Sequence, residues 1–211
     1  MRFFSTMAAA VLGAAFGIDA AGAAGNPGEI APVPLGLYTE ALDRTLPPIG
    51  FVNFCKRTPE DCRASGPRGA RIVMTGERWR AAYQVNAYVN RRIAPSTDSE
   101  LYGEAEYWAY PASAGDCEDY VLMKKRYLER LGFPRSALLI TVVLDEHNDG
   151  HALLTLRTDE GDFVLDNRRN DIRRWSDLDY VYLKRQSDSD PREWVSLMPA
   201  ASATVLAAGN P

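Results

Sequence analysis

A single cysteine is the strongest candidate for a reacting group in this sequence. Cys117 lies in Gly-Asp-Cys-Glu-Asp-Tyr at residues 115–120, where a glycine-containing loop is followed by a helical pattern. The other two of the three cysteines, Cys55 and Cys62, are close enough in sequence to pair with each other. The first turn of a helix lowers the pKa of a thiol and offers N–H groups to an oxyanion, so Cys117 is a candidate nucleophile. The alternative is a buried, inert structural thiol.

A histidine and a carboxylate follow in an order that suits a nucleophile, its base and the group that orients the base. His151 begins one predicted strand and Asp166 ends the next, with the amide of Asn167 as an alternative orienting group. The other histidine, His147, lies in a polar stretch that predicts an exposed turn. His147 and His151 have the spacing of a zinc-binding helix, but the Asn-Asp-Gly between them breaks a helix, so zinc is not predicted.

The register of one predicted hairpin decides whether His151 and Asp166 can meet. Strands at 151–157 and 162–166 flank Thr-Asp-Glu-Gly, a hairpin pattern. A two-residue loop gives three sensible cross-strand pairs: Arg157 with Asp162, Leu156 with Phe163, and Leu154 with Leu165. His151 is then a diagonal neighbour of Asp166 on the same face, roughly 7–8 Å away at the backbone. A slip of one residue would place the two side chains on opposite faces.

Acidic residues surround the candidate nucleophile. Asp116, Glu118 and Asp119 are neighbours of Cys117 in sequence, and their negative charge would raise the pKa of the thiol. Activation must then come from His151, from the helix end, or from a cation held by the carboxylates. Asp116 and Glu118 offer oxygen ligands that suit calcium, although calcium needs six to eight of them. The alternative is that both are ordinary acids of a first helical turn.

The remaining pattern predicts an α+β fold. Helices are predicted over 77–93 and 117–131, the second ending at a Gly and a Pro. Residues 51–69 are predicted to be loop-rich, and residues 98–114 irregular and aromatic. The other predicted strands span residues 137–144, which is almost continuously apolar and therefore central, 180–184 and 194–197.

Composition limits the classes of function. The chain has 211 residues, 46% hydrophobic and 25% charged, which is enough for one domain with a core. The net charge of −4, with no basic stripe carrying aromatic residues, argues against nucleic acid as a partner.

The N-terminus predicts export. Residues 1–24 combine a positive start, a short apolar run and small residues, which is typical of a signal peptide; the alternative is an uncleaved anchor. A Pro-rich extended lead-in is predicted over 25–50, the folded domain over 51–198, and a disordered tail over 199–211.

Export agrees with the cysteine pattern. An oxidising compartment such as the periplasm allows Cys55 and Cys62 to form a disulfide. The alternatives are two unpaired thiols, or a metal pair that lacks its other ligands.

Four blocks of sequence carry a family resemblance. They are Tyr-Gly-Glu-Ala-Glu-Tyr-Trp at 102–108, Gly-Asp-Cys-Glu-Asp-Tyr at 115–120, Gly-His-Ala at 150–152 and Val-Leu-Asp-Asn at 164–167. From about residue 51 to 197 the chain resembles the bacterial transglutaminase-like cysteine proteinase family. The resemblance implies a papain-like or transglutaminase-like core, in which the catalytic Cys begins a helix that packs on an antiparallel β-sheet. It also implies Cys117, His151 and Asp166 as the catalytic triad.

The resemblance implies further expectations about partners. The best-known branch of the family is periplasmic, cuts large surface adhesins and is held by an inner-membrane receptor. That branch needs calcium, bound by carboxylates that correspond to Asp116 and Glu118. We therefore expect an exported cysteine peptidase that hydrolyses a peptide bond in a periplasmic or surface protein through a thioester. The alternatives are a transglutaminase or acyltransferase with the same triad, and a non-catalytic periplasmic binding module.

Overall fold

The computed structural model of the protein describes residues 36–199. The predicted signal peptide, and all but the first residue of the predicted tail, lie outside these residues. Within 36–199, no helix combines the length and the apolar character that crossing a bilayer requires.

Four α-helices and nine strands make up the described chain, together with three short 3₁₀ turns. The helices are α1 (Ile49–Arg57), α2 (Gly76–Arg92), α3 (Asp98–Tyr102) and α4 (Cys117–Arg130). The strands are β1 (Arg44–Thr45), β2 (Ala94–Pro95), β3 (Ala114–Gly115), β4 (Leu138–Leu144), β5 (Gly150–Thr158), β6 (Gly161–Leu165), β7 (Arg173–Arg174), β8 (Val181–Gln186) and β9 (Trp194–Ser196).

An antiparallel sheet of seven strands forms the centre of the fold. Its order is β1-β9-β8-β4-β5-β6-β7, so β4 is the middle strand. The sequence of β4 is Leu-Leu-Ile-Thr-Val-Val-Leu, and most of it is buried because both faces of the sheet are covered there. The prediction of a central strand is confirmed.

The hairpin of β5 and β6 has the predicted register. Leu154 pairs with Leu165 and Leu156 with Phe163, and Thr158 faces Gly161 across a two-residue loop. Gly161 has φ of 127°, a conformation that a side chain would strain. The hairpin therefore carries His151 and Asp166 at the same end of the sheet.

The main core lies between the sheet and helices α2 and α4. Leu138, Leu154 and Leu156 on the sheet are fully buried with Val89 of α2 and Leu128 of α4. Truncating one of these leucines to alanine is expected to cost about 2–5 kcal/mol, because it removes apolar contacts and leaves a cavity. Helices packed on one face of an antiparallel sheet define an α+β fold, as predicted.

Two segments that were predicted to be irregular contain helices. Residues 51–57 belong to α1, in which Phe51 packs against Trp108 and Trp194, and Phe54 packs against Tyr110. The loop-rich prediction was wrong there because the helix is short and buries only two large apolar side chains, Phe51 and Phe54. The disulfide Cys55–Cys62 is present, with a Cα–Cα distance of 5.6 Å, and such a loop contributes about 2–3 kcal/mol.

Helix α3 is the second correction. Thr97 accepts from the backbone of Glu100, and the Glu100 side chain accepts from the backbone of Thr97, which forms a capping box. This Thr-x-x-Glu pattern was readable in the sequence, but the aromatic residues after it suggested an irregular segment throughout.

Residues before α1 also contact the sheet. Strand β1 pairs with β9, and the Thr39 hydroxyl donates to Asp162 Oδ2 at 2.7 Å. A separate pair of parallel strands, β2 and β3, joins the end of α2 to the residues immediately before Cys117.

Candidate active site

Cys117 is the first residue of α4. Asp116 before it has an extended backbone, so the helix begins at the cysteine and its first N–H groups are free of intrahelical partners. A Cβ added at Gly115 would lie 2.5 Å from Asp119 Oδ2. The absence of a side chain at Gly115 therefore lets the Asp119 side chain pack directly against the backbone there. Asp119 Oδ1 in turn accepts from the N–H of Ala109 at 2.7 Å.

His151 and Asp166 form a buried pair at the end of the hairpin. The distance from His151 Nε2 to Asp166 Oδ1 is 3.0 Å, and the side chains of both are almost completely shielded from solvent. Asp166 holds Nε2, so Nδ1 is the ring nitrogen left to accept a proton from another group. Asn167, the alternative orienting group, does not take this position.

Further donors converge on the Asp166 carboxylate. The N–H of Arg168 donates to Oδ1 at 2.9 Å, and the Tyr180 hydroxyl donates to Oδ2 at 2.9 Å. Burial by itself raises the pKa of Asp166. The hydrogen bonds from His151, Arg168 and Tyr180 outweigh it and lower the pKa to about 2. The carboxylate is therefore ionised wherever the protein is folded at ordinary pH.

This depressed pKa predicts a loss of stability in acid. A pKa near 2 in the folded state and near 4 in the unfolded state stabilises the fold above about pH 4, by about 2–3 kcal/mol. The contribution is lost as pH falls from 4 towards 2. We expect Asp166→Asn to destabilise the protein at pH 7 and the deficit to shrink by pH 3, measured by urea unfolding. A deficit that is equal at both pH values would contradict this prediction.

The thiol of Cys117 lies beside the first residues of β5. Its sulfur donates to Glu118 Oε2 at 3.1 Å, and the N–H of Ala152, the residue after His151, also faces it. Within residues 36–199 the sulfur has no direct hydrogen bond with His151. In this arrangement the thiol proton is directed at Glu118 rather than at the imidazole.

Burial and negative charge keep the thiol protonated in this arrangement. Burial raises the pKa of Cys117, and the charge of Glu118 and its hydrogen bond to the sulfur raise it further, while the Ala152 N–H lowers it slightly. The direction of this shift agrees with the predicted conflict between the nucleophile and its acidic neighbours.

Three carboxylates come together next to the sulfur. One oxygen each of Asp98, Asp116 and Glu118 lies within 4.8 Å of the others. Burial raises the pKa of both Asp116 and Glu118, and their mutual repulsion adds to the shift for Glu118. Oδ1 of Asp98 and Oδ1 of Asp116 are buried without a hydrogen-bond partner among residues 36–199, and Asp98 is 2% exposed.

This donor set fits a hard cation. Clustered carboxylate oxygens, two of them buried and unpaired, are the ligands that calcium prefers, and a bound cation would offset their repulsion. Sequence reasoning named Asp116 and Glu118 but missed Asp98. The capping box reveals that Asp98 starts a helix, but only the tertiary fold brings α3 to the start of α4.

A second acidic cluster, formed by Asp145, Glu146 and His147, makes different contacts. Oδ1 of Asp145 accepts from the backbone N–H groups of His147 and Asp149, and Oδ2 accepts from Arg168 at 2.6 Å. His147 is exposed in this turn, as predicted.

A cysteine at a helix start, next to a strand that carries a buried His–carboxylate pair, is the arrangement of thiol-dependent acyl-transfer enzymes. A family profile described as bacterial transglutaminase-like cysteine proteinase BTLCP matches residues 41–202. The chain belongs to this family, which is one of cysteine peptidases. A search of curated proteins gives no match.

Solved structures of LapG from Legionella pneumophila are similar to this chain. Calcium-bound LapG is 23% identical over 51% of this chain and 64% of its own, with a TM-score of 0.46. EGTA-treated LapG is 26% identical over 51% and 62%, also with a TM-score of 0.46. A third LapG structure is 23% identical over 62% and 74%, with a TM-score of 0.49. The chain covers slightly less than two thirds of the length of the LapG chain in the first two structures.

Proposed function

We propose that this protein is an exported cysteine peptidase that hydrolyses a peptide bond in a periplasmic or surface protein. The observation that carries the proposal is the buried 3.0 Å hydrogen bond between His151 and Asp166, beside the helix that begins at Cys117. Family membership supports peptide hydrolysis. The predicted signal peptide supports export.

The proposed reaction uses Cys117, His151 and Asp166 in succession. Nδ1 of His151 takes the thiol proton, and the sulfur attacks the carbonyl carbon of the substrate. The resulting oxyanion accepts from the N–H of Cys117 at the start of α4. The tetrahedral intermediate collapses to a thioester as the imidazolium gives its proton to the leaving amine.

Water completes the cycle. His151 removes a proton from a water molecule, which attacks the thioester and restores the free thiol and a carboxylic acid. Throughout, Asp166 fixes the tautomer of His151 and stabilises its charged form. Tyr180 and the backbone of Arg168 keep that carboxylate in place through their hydrogen bonds.

Calcium is the cofactor that we propose for this site. Asp98, Asp116 and Glu118 would hold it, and its charge would offset the negative potential beside the sulfur. With its carboxylate held by the cation, Glu118 would no longer accept the thiol proton of Cys117. The unpaired oxygens of Asp98 and Asp116 support this proposal.

The two histidines provide a matched test of the base. We expect His151→Ala to lower the rate of Cys117 alkylation by iodoacetamide at neutral pH by about a hundredfold or more, because the thiol loses its proton acceptor. His147→Ala should react like the wild type, because His147 lies in an exposed turn. Alkylation is followed by mass spectrometry of the peptide that contains Cys117. Equal rates in the wild type and both variants would refute the assignment of His151 as base.

A further inference from the structure

Helix α2 contacts both halves of the proposed site without contributing a reacting group. Its last two turns face the turn that follows β6, where Asp166 lies, and its C-terminal end leads to the strand pair that precedes Cys117. The C-terminal part of α2 is therefore attached both to the turn that holds Asp166 and to the residues that lead into Cys117.

The first attachment is to the turn at residues 166–170. The side-chain amide of Asn90 donates to the main-chain oxygens of Asp166 and Arg169, at 2.9 Å each. The amide of Asn86, which is completely buried, donates to the main-chain oxygens of Arg169 and Asn170 at 3.0 and 3.1 Å. Both side-chain amides therefore donate to main-chain oxygens of the same turn, and Asn90 donates to Asp166 itself.

The second attachment is to the nucleophile helix. The hydroxyl of Tyr120, one turn after Cys117, donates to the main-chain oxygen of Ile93 at 2.6 Å. Beyond Ile93 the chain continues into β2, where the N–H of Ala94 donates to Ser113 and that of Ser96 to Gly115, at 2.8 and 3.1 Å. These bonds hold the residues that lead directly into Cys117.

We propose that Asn86 and Asn90 are positioning residues, which hold the Asp166 turn at a fixed distance from Cys117 through α2. The inference rests on the proposed function of the triad. Two neighbouring amides on one face of a helix, one turn apart, give α2 a rigid connection to the turn. Proton transfer from the thiol to His151 requires heavy atoms within hydrogen-bond reach, so a small displacement of Asp166 and His151 has a large effect on rate.

The test compares Asn90→Leu with a matched control elsewhere in the sheet. Leucine keeps the branching and the number of side-chain heavy atoms of asparagine, with a larger volume, and removes the donors. Gln186→Leu removes a buried amide on β8, two strands away from β5, which donates to the main-chain oxygen of Pro191 at 2.8 Å and accepts from the N–H of Ile140 at 3.1 Å. Both variants lose side-chain hydrogen bonds to main-chain groups, part-buried at Asn90 and buried at Gln186, and both should lower the melting temperature.

The two variants should differ in reactivity. Measured well below the melting temperature with calcium present, Asn90→Leu should alkylate Cys117 about tenfold to a hundredfold more slowly than wild type. Gln186→Leu should alkylate at the wild-type rate. The ring N–H of His151 that is bonded to Asp166 should shift or broaden in the proton NMR spectrum of Asn90→Leu alone. With only two histidines in the chain, His147→Ala assigns that signal.

The possible results distinguish a failure of this inference from a failure of the proposed function. Wild-type alkylation and an unchanged His151 signal in Asn90→Leu would overturn it and leave the proposed function standing. A wild-type protein that alkylates no faster than His151→Ala would instead remove the proposed function. If Asn90→Leu does not fold, Asn90→Ala and Asn86→Ala are measured in the same way, since each removes donors from the turn with less crowding.

Discussion

Replacing Cys117 by alanine should abolish proteolysis and leave the fold intact. The thiol is the only candidate nucleophile in the proposed reaction, so we expect activity to fall by about four orders of magnitude or more. Cys117 is partly buried at the start of α4, where it packs against the core, and alanine removes only its sulfur, so the melting temperature should change little. The readout is the set of new N-termini that appear when the protein is incubated with exported and surface proteins.

The control for this experiment is the disulfide. A double Cys55→Ala, Cys62→Ala variant removes the other two cysteines and should lose stability, but it should retain the cleavages at a temperature where it is folded. New N-termini that persist in Cys117→Ala would rule out a cysteine peptidase mechanism. Incorporation of a labelled amine by the wild type, without new N-termini, would favour the acyltransferase alternative.

Removing calcium should lower both stability and activity. A cation that binds only the folded protein, present at a hundredfold excess over its Kd, stabilises it by about 2.7 kcal/mol. For a chain of this size such a change corresponds to a melting temperature roughly 5–10 °C higher. A chelator should reverse the shift and lower the rate of Cys117 alkylation. Magnesium should substitute poorly, because it demands a smaller, octahedral site.

Neutralising one acid of the cluster formed by Asp98, Asp116 and Glu118 should change the melting temperature in opposite directions with and without calcium. Without the cation, Asp98→Asn removes a negative charge beside Asp116, and Glu118→Gln removes a carboxyl group whose pKa is raised to about 9 by burial and by Asp116; both variants should raise the melting temperature. With calcium, the same variants should melt below the wild type because they lose ligand charge. Glu146→Gln, in the other acidic cluster, should show neither effect. A melting temperature that is independent of calcium in the wild type would identify Asp116 and Glu118 as ordinary acids of a first helical turn.

Features that depend on residues close together in the sequence were predicted correctly from the sequence pattern. The register of β5 and β6 follows from a two-residue loop and from apolar pairs on one face, so the meeting of His151 and Asp166 was predictable. The start of α4 at Cys117 follows in the same way, because the glycine before it and the acids after it favour a helix start. Helix α1 was missed because its one buried side, around Phe51 and Phe54, is short.

Contacts between distant segments were not predictable. Asp98 reaches the acids beside Cys117, and Asn90 reaches Asp166 across 76 positions of sequence. No local periodicity encodes such contacts, because an isolated polar residue on a helix looks the same whether it faces solvent or a carbonyl.

The amino-acid sequence by itself determined the chemistry available to this protein: one unpaired thiol, one histidine in a strand and one carboxylate diagonal to it at the end of the neighbouring strand. The tertiary structure decided how that chemistry is controlled. It brings a third carboxylate to the sulfur and turns the thiol towards Glu118, and it joins the two halves of the site through α2. The reason is physical: reactivity depends on which charges and hydrogen bonds share a low-dielectric interior, and only the packing of α2, α3 and α4 on the sheet creates that interior.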